Sequence, residues 1–494
     1  MHEIGFDNER YLRLQSERIR ERIPANGGKL YLEFGGKLFD DHHASRVLPG
    51  FEPDSKINML SELRDQAEIV FAINANDIQK NKVRVDSGIP YDQETLRLID
   101  AFRDRGLLVG GVVVTQWAGQ PDAQAFEAKL ARLGIPTWRH YPIAGYPYDV
   151  ARIVSDEGYG RNQSIGTSRP LVVVTAPGPG SGKMAVCMSQ LYHDHKEGRK
   201  ATYAKFETFP IWNLPLQHPV NVAYEAATTD LRDFNLIDPF HLEAHGATAV
   251  NYNRDVEAFP VLRAILTQIN GTCDYKSPTD MGVNMAGFCI TDDAACARAA
   301  EQEVVRRWYK ALYARRKGFG TDDEVARSEL LMKRLSLTAA DRPVVGAALR
   351  KQEETGAPAV ALELPDGRLV TGKTTALLGA SAAVLLEALK ALARIEPDLH
   401  LIAPSVIGPI QDLKVNHLGN ANPRLHTDEV LVALSICATT DPAAERAMQQ
   451  IERLRGSEAH ASVILSPVDE NVFKKLGVQQ TCEPVYQTAK LFHK

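Results

Sequence analysis

The chain has 494 residues, and length alone suggests roughly three domains of about 150 residues each. Hydrophobic residues make up 44% and charged residues 24%, the balance of a soluble globular protein. The net charge is −5, from 57 basic and 62 acidic residues with no long run of one sign, which argues against a nucleic-acid-coating protein or a polybasic membrane binder. The opening "MHEIGFDNERYLRLQ" has no apolar stretch, so no signal peptide is expected, and no apolar run is long enough for a spanning helix. Cysteines 187, 273, 289, 296, 437 and 482 lie far apart without C-x-x-C, which gives neither a zinc knuckle nor a thioredoxin-type site. A reduced, cytoplasmic protein is expected.

In chain order, a helix is expected over 7–23, opened by Asp7, carrying Leu12, Ser16, Ile19 and Ile23 at helical spacing, and stopped by Pro24. Strand "KLYLEFGGKL", helix "INMLSELRDQ", strand "EIVFAIN", helix "DQETLRLIDAFRDRG", strand "LLVGGVVVT", helix "DAQAFEAKLARLG" and strand "IPTWRHY" follow. Near-continuous apolar strands alternating with helices predict a doubly wound α/β domain over 1–165. "SDEGYGRNQSIGTSRP", 155–170, has the Gly, Ser and charge content of a linker. A central P-loop-like α/β domain, able to bind phosphate, is expected over 166–322, with "KGFGTDDE" as the next break. A helix-rich mixed α/β domain is expected over 323–494. It holds a hairpin through "PDG", a long apolar helix from Thr374, and strands "LHLIAP" and "HASVILS".

Two stretches compete as phosphate loops. "GRLVTGKT", 367–374, has every letter of the usual pattern, but its interior is made of β-formers that extend rather than curl. It is expected to be the return strand of the hairpin, with Thr371 or Thr374 starting the next helix. "APGPGSGKM", 176–184, lacks two letters: Pro177 replaces the first Gly, and Met184 replaces the Ser or Thr that normally holds Mg²⁺. Yet its loop "PGPGSG" follows the apolar strand "LVVVTA", contains only Gly, Pro and Ser, and leads into a helix. Gly178, Gly180, Ser181, Gly182 and Lys183 are therefore the expected phosphate contacts. The next strand, "KATYAKFETFP", would end in Lys205, Glu207 and Thr208 at the same sheet edge. Loop, helix and a Lys-bearing strand end together resemble the dethiobiotin-synthetase-like branch of P-loop proteins over about forty residues.

Lys205, Glu207, Asp274 and Lys276 are the candidate catalytic groups, the last two within "TCDYKSPTDMGVN". Asn251, Asn253, Arg254, Asp280 and Asn284 are the candidate substrate contacts, on loops following the phosphate loop. Capping and solvated turns explain these polar residues equally well. His241 and His245 lie four apart in "DPFHLEAHG", but Glu243 is displaced from the zincin pattern H-E-x-x-H, so caps and surface roles are favoured over metal. "YLEFGGKL" is similar to the opening of amino-acid kinases, but Glu33 stands where that family has Lys. Gly35 and Gly36 still suggest a close backbone approach. Cys187 is expected to be a small buried hydrophobe.

The phrases "FGGKLFDDHHASRVLPGF", "APGPGSGK", "IDPFHLEAHGATAVNYNRDVE", "CDYKSPTDMGVNMAGFCI", "TGKTTALLGASAAVLLEALK" and "NPRLHTDEVL" together resemble one bacterial family, domain of unknown function eighteen-forty-six, nearly end to end. The resemblance implies a cytoplasmic protein of this length and carries over no catalytic residue. From the residues themselves, the leading expectation is an enzyme binding ATP, another nucleotide or a different phosphate-bearing small molecule, with ligase- or kinase-like transfer and an undecided need for Mg²⁺. A non-catalytic phosphometabolite-binding or regulatory protein and a metal-dependent hydrolase are the alternatives. No nucleic-acid or membrane partner is expected, and the apolar helices suggest a homo-oligomer.

Overall fold

Helices and strands interleave through the first three hundred residues of the computed structural model, which describes residues 4–24, 28–39, 41–84 and 88–488. In chain order the strands are β1 (Lys29–Phe34), β2 (Ala67–Asn74), β3 (Leu108–Thr115), β4 (Thr137–Arg139), β5 (Leu171–Thr175), β6 (Ala201–Phe206), β7 (Asn235–Ile237), β8 (Val250–Tyr252) and β9 (Gly282–Val283). They continue as β10 (Ala359–Glu363), β11 (Leu369–Lys373), β12 (Glu458–Ala461) and β13 (Gln479–Cys482). The chain forms two compact units, residues 4–297 and 298–494, divided within helix Asp293–Lys317.

The first unit is built on a seven-stranded sheet of order β4-β3-β2-β5-β1-β6-β9, and every pairing in it is parallel. Alternation along β1 sends Leu30, Leu32 and Phe34 to one face, where they pack with Leu60, Ile99, Phe102 and Phe126. Tyr31 goes to the other face with Val172, Val174, Cys187, Leu191, Phe259 and Leu266. Helices therefore cover both faces, as nearly continuous apolar strands require. The doubly wound character is present, but it spans both of the expected first two domains. The expected boundary near 165 falls inside one sheet, because β5 inserts between β2 and β1. The stretch 155–170 is packed rather than a free linker: Tyr159 is 0% and Ile165 4% exposed, and Glu68 of β2 accepts from Ser168 N, Ser168 Oγ and Arg169 N. Its glycines and serines turn the chain from the sheet's β4 edge back to its centre.

The second unit carries a mixed sheet of order β11-β10-β12-β13, antiparallel except for β12 with β13. Helix Ala380–Ala393 packs on one face through Val384, Leu385 and Leu389. Helix Pro343–Thr355 packs on the other, through Val344, Ala347 and Ala348 against Ala361. β10 and β11 form the expected hairpin, and its turn uses Gly367 at φ +82°. The complete motif "GRLVTGKT" is thus the end of a hairpin turn and the extended strand that follows it. Its second glycine serves packing: a Cβ on Gly372 would stand 2.2 Å from the backbone nitrogen of Val384. Gly372→Ala is expected to lower stability by about 1–3 kcal/mol through overpacking, measured as a urea-midpoint shift, and to leave any phosphate binding unchanged. Two local expectations fail here. The helix begins at Ala380 with Gly379 at its N-cap, not at Thr374, because the chain first bends through 375–378. "LHLIAP" forms no strand; Leu401 and Ile402 are buried in a coil that leads into helix Pro404–Asp412.

Candidate functional site

All seven strands of the large sheet point the same way, so their carboxyl ends share one edge. β2 runs on toward β3 on one side, and the helix after β5 leads toward β6 on the other. Open α/β sheets bind ligands at such a reversal of direction, and the loop 176–182 lies there.

The loop's bonding is one-sided. Arg84 Nη1 donates to Pro177 O (3.0 Å), Ser181 Oγ to Gly178 O (2.8 Å), Asn74 Nδ2 to Gly180 O (3.3 Å) and Thr115 Oγ1 to Ser181 O (2.8 Å). The carbonyls are thereby held against the protein. The N–H groups of Gly178, Gly180, Gly182, Lys183, Met184 and Ala185 donate to no acceptor among the described residues. They open helix Lys183–Lys196, whose N-cap Gly182 has φ +88°. Gly180 has φ +77°, a region that L side chains avoid. A Cβ on Gly178 would stand 2.2 Å from Tyr91 Oη, so that position also requires glycine. The Lys183 ammonium forms no hydrogen bond or ion pair among the described residues. Successive free amides at a helix start form a concavity with positive partial charge.

The end of β6 carries a buried ionic group. Lys205 bonds Asp255 and Tyr252 Oη, lies 3.1 Å from Glu207 Oε1, and sits 4.5 Å from the centroid of the Tyr252 ring. Asp255 belongs to the first turn of helix Asn253–Asn270, which the short β8 delivers to this edge. Burial opposes the Lys205 charge, but Asp255, then Tyr252 and Glu207, outweigh it and hold the ammonium above the ordinary lysine range. Burial first, and the adjacent Asp255 carboxylate second, push Glu207 up to about 8 against the pull of Lys205. A carboxyl that titrates near neutrality is suited to moving a proton.

β1 connects the two features. Glu33 is in register with Val174 of β5 and with Lys205 of β6, and it accepts from Tyr203 Oη at 2.7 Å. At about 4.8 Å between neighbouring strands, the ends of β5 and β6 stand about 10 Å apart. Cys187, one turn into the helix, feels the charges of both Glu33 and Lys183, and burial raises its thiol well above the usual range. It is inert, as the sequence suggested.

The remaining candidates are dispersed. Asn251 Nδ2 donates to Thr279 Oγ1, Asn253 Oδ1 accepts from Phe234 N, and Arg254 pairs with Asp233. Asn284 holds the carbonyls of Thr208 and Pro210. These bonds brace the loops around the strand ends. Asp274 and Lys276 are exposed, and their side chains form no hydrogen bond or ion pair among the described residues. Asp280 instead meets His245 at 3.0 Å. Gly36, at φ +74°, passes Lys56 Nζ. Asp255, Tyr252 and Glu33 were missed as site residues. The available signal was Glu33, the one carboxylate in an apolar strand, and the "YNRD" start of a helix.

An open parallel sheet with free loop amides at its point of reversal, and a proton-active carboxyl two strands away, defines a class: an α/β protein with a candidate ligand site at its strand ends. The chain belongs to the family described as Domain of unknown function DUF1846, whose N-terminal model matches residues 4–336 and whose C-terminal model matches 340–492. It is similar to the UPF0371 proteins of Streptococcus pneumoniae strains JJA and CGSP14, each 56% identical over 494 residues and covering 100% of both chains. The protein of strain P1031 is 55% identical over the same span. Among the described residues, no helix is long and apolar enough to cross a membrane.

Proposed function

We propose that the first unit binds a phosphate-bearing small molecule at Gly178–Lys183, and that Glu207, beside Lys205 and Asp255, moves a proton in a ligase- or kinase-like transfer on it. One observation carries this reading: the carbonyls of Pro177, Gly178, Gly180 and Ser181 are bonded to protein while the amides that open the helix and Lys183 are free. A nucleotide such as ATP is the first ligand to test. Met184 places a thioether, packed at the edge of the apolar cluster, where metal-holding loops carry a hydroxyl. That observation favours a second reading, a phosphometabolite-binding protein without Mg²⁺-dependent turnover.

Calorimetric titration of the full chain with inorganic phosphate, nucleotides and sugar phosphates, with and without Mg²⁺, tests both. A lost charge-assisted contact of about 1.5–3 kcal/mol corresponds to about 10- to 150-fold weaker binding for Lys183→Ala. Equal affinity in wild type and Lys183→Ala for every ligand sinks the site. Binding without product formation, unaffected by Glu207→Gln, selects the second reading.

A further inference from the structure

Helix Pro239–His245 and the short helix Pro278–Met281 meet through three side chains able to ligate metal. His241 and His245 stand one turn apart on the same face, with ring centroids 4.6 Å apart. Asp280 faces both: its Oδ1 lies 3.6 Å from His241 Nδ1 and 3.0 Å from His245 Nε2. One ligand atom from each residue fits within 4.8 Å of the others. Around a tetrahedral ion with bonds near 2.0–2.2 Å, neighbouring ligand atoms stand about 3.3 Å apart. The spacing brackets that value.

The support around the three residues is the second observation. Asp280 Oδ2 accepts from the backbone N–H of Lys276 and of Ser277, which sets the carboxylate plane. Ser277 Oγ accepts from Asp280 N, closing a capping box. Asp238 is 0% exposed, caps the helix that bears the histidines, and accepts from Thr279 Oγ1 at 2.7 Å. One buried carboxylate therefore locks the two helices together, and the ligands are in place before any ion arrives. An ordinary surface ion pair has no such framework. His241 is 12% exposed at its side chain, Asp280 23% and His245 37%, so the group opens to solvent on one side. His241 Nδ1 also hydrogen-bonds Ser277 Oγ at 3.1 Å, a contact that an ion bound at this nitrogen would replace.

We propose that His241, His245 and Asp280 form a binding site for a divalent transition-metal ion, with Zn²⁺ as the reference, leaving one coordination position to solvent or to an anionic ligand. Two imidazoles and a carboxylate suit Zn²⁺ and its first-row neighbours and disfavour Mg²⁺ and Ca²⁺. The site is independent of the phosphate loop; either can fail alone.

The test is titration of the chelator-treated full chain with Zn²⁺ alone, followed by calorimetry, and with Co²⁺, followed by its visible absorption. One ion per chain is expected, with low-coordinate Co²⁺ bands. Affinity should fall at least about 10-fold in His245→Ala and in His241→Gln, the size of loss that even a supporting group around a metal produces. His417→Ala, at a surface histidine, should bind as wild type does. Melting in chelator confirms that both site variants are folded, and the His245 side chain is exposed enough for its removal to be tolerated. Absence of stoichiometric binding in wild type, or equal affinity in wild type and both site variants, overturns the proposal.

Discussion

Replacing Lys205 by Met should destabilise the first unit by about 3–5 kcal/mol, the cost of leaving buried charge without its partner. The Lys205, Glu207 and Asp255 side chains are 13%, 10% and 18% exposed, so solvent cannot take over the role of the ammonium. Tyr252 Oη loses a partner in the same step. Urea denaturation of the full chain measures the shift. Lys205→Met/Asp255→Leu should recover much of the loss, because replacing both partners of a buried pair by apolar groups is often near neutral. A single-variant loss below about 1 kcal/mol would show that the group is solvated rather than buried.

The second large effect is on pH dependence. Glu207 is held protonated in the folded state up to about pH 8, against an ordinary glutamate value of 4.5. Between those values the native chain binds more protons at this position than the unfolded chain. Stability from Glu207 is therefore fully present below about pH 4.5 and is lost as pH rises through about 8. The slope reaches at most about 1.4 kcal/mol per pH unit. Glu207→Gln keeps the shape, cannot ionise, and should remove this decline. The difference between wild type and variant in unfolding free energy from pH 5 to 9 isolates the one group. Parallel curves would mean that Glu207 is ionised throughout, and the proton-transfer role would go with it.

Where physics is local, the residues spoke for themselves. Asp7 and Pro24 bracket the first helix, which runs Asn8–Arg22 with Asp7 as its cap. Apolar runs marked β1, β2, β3, β5 and β6. The β-formers of "RLVT" outweighed a complete phosphate motif, and the hairpin followed. Long-range choices left no local trace. Nothing in β5 says that it inserts between β2 and β1, so two domains were expected where one sheet stands. The same insertion anchors a Gly- and Ser-rich "linker" to the fold, burying Tyr159, Asn162 and Ile165. Lys205 and Glu207 were recognisable as a strand end, but Asp255 reaches them across about fifty positions of chain. His241 and His245 were visible as a helical pair, whereas Asp280 joined them only through the fold.

Sequence by itself therefore determined the α/β class, most strand and helix positions, and the loop whose backbone can turn its amides outward. Those properties depend on burial period, caps and φ preference, all set within a few residues. The tertiary structure decided which strands are neighbours, which charges share a buried site, and which carboxylate faces the two histidines. Those depend on contacts between distant segments, where one side chain's pKa or partner is set by residues that its own neighbourhood does not contain.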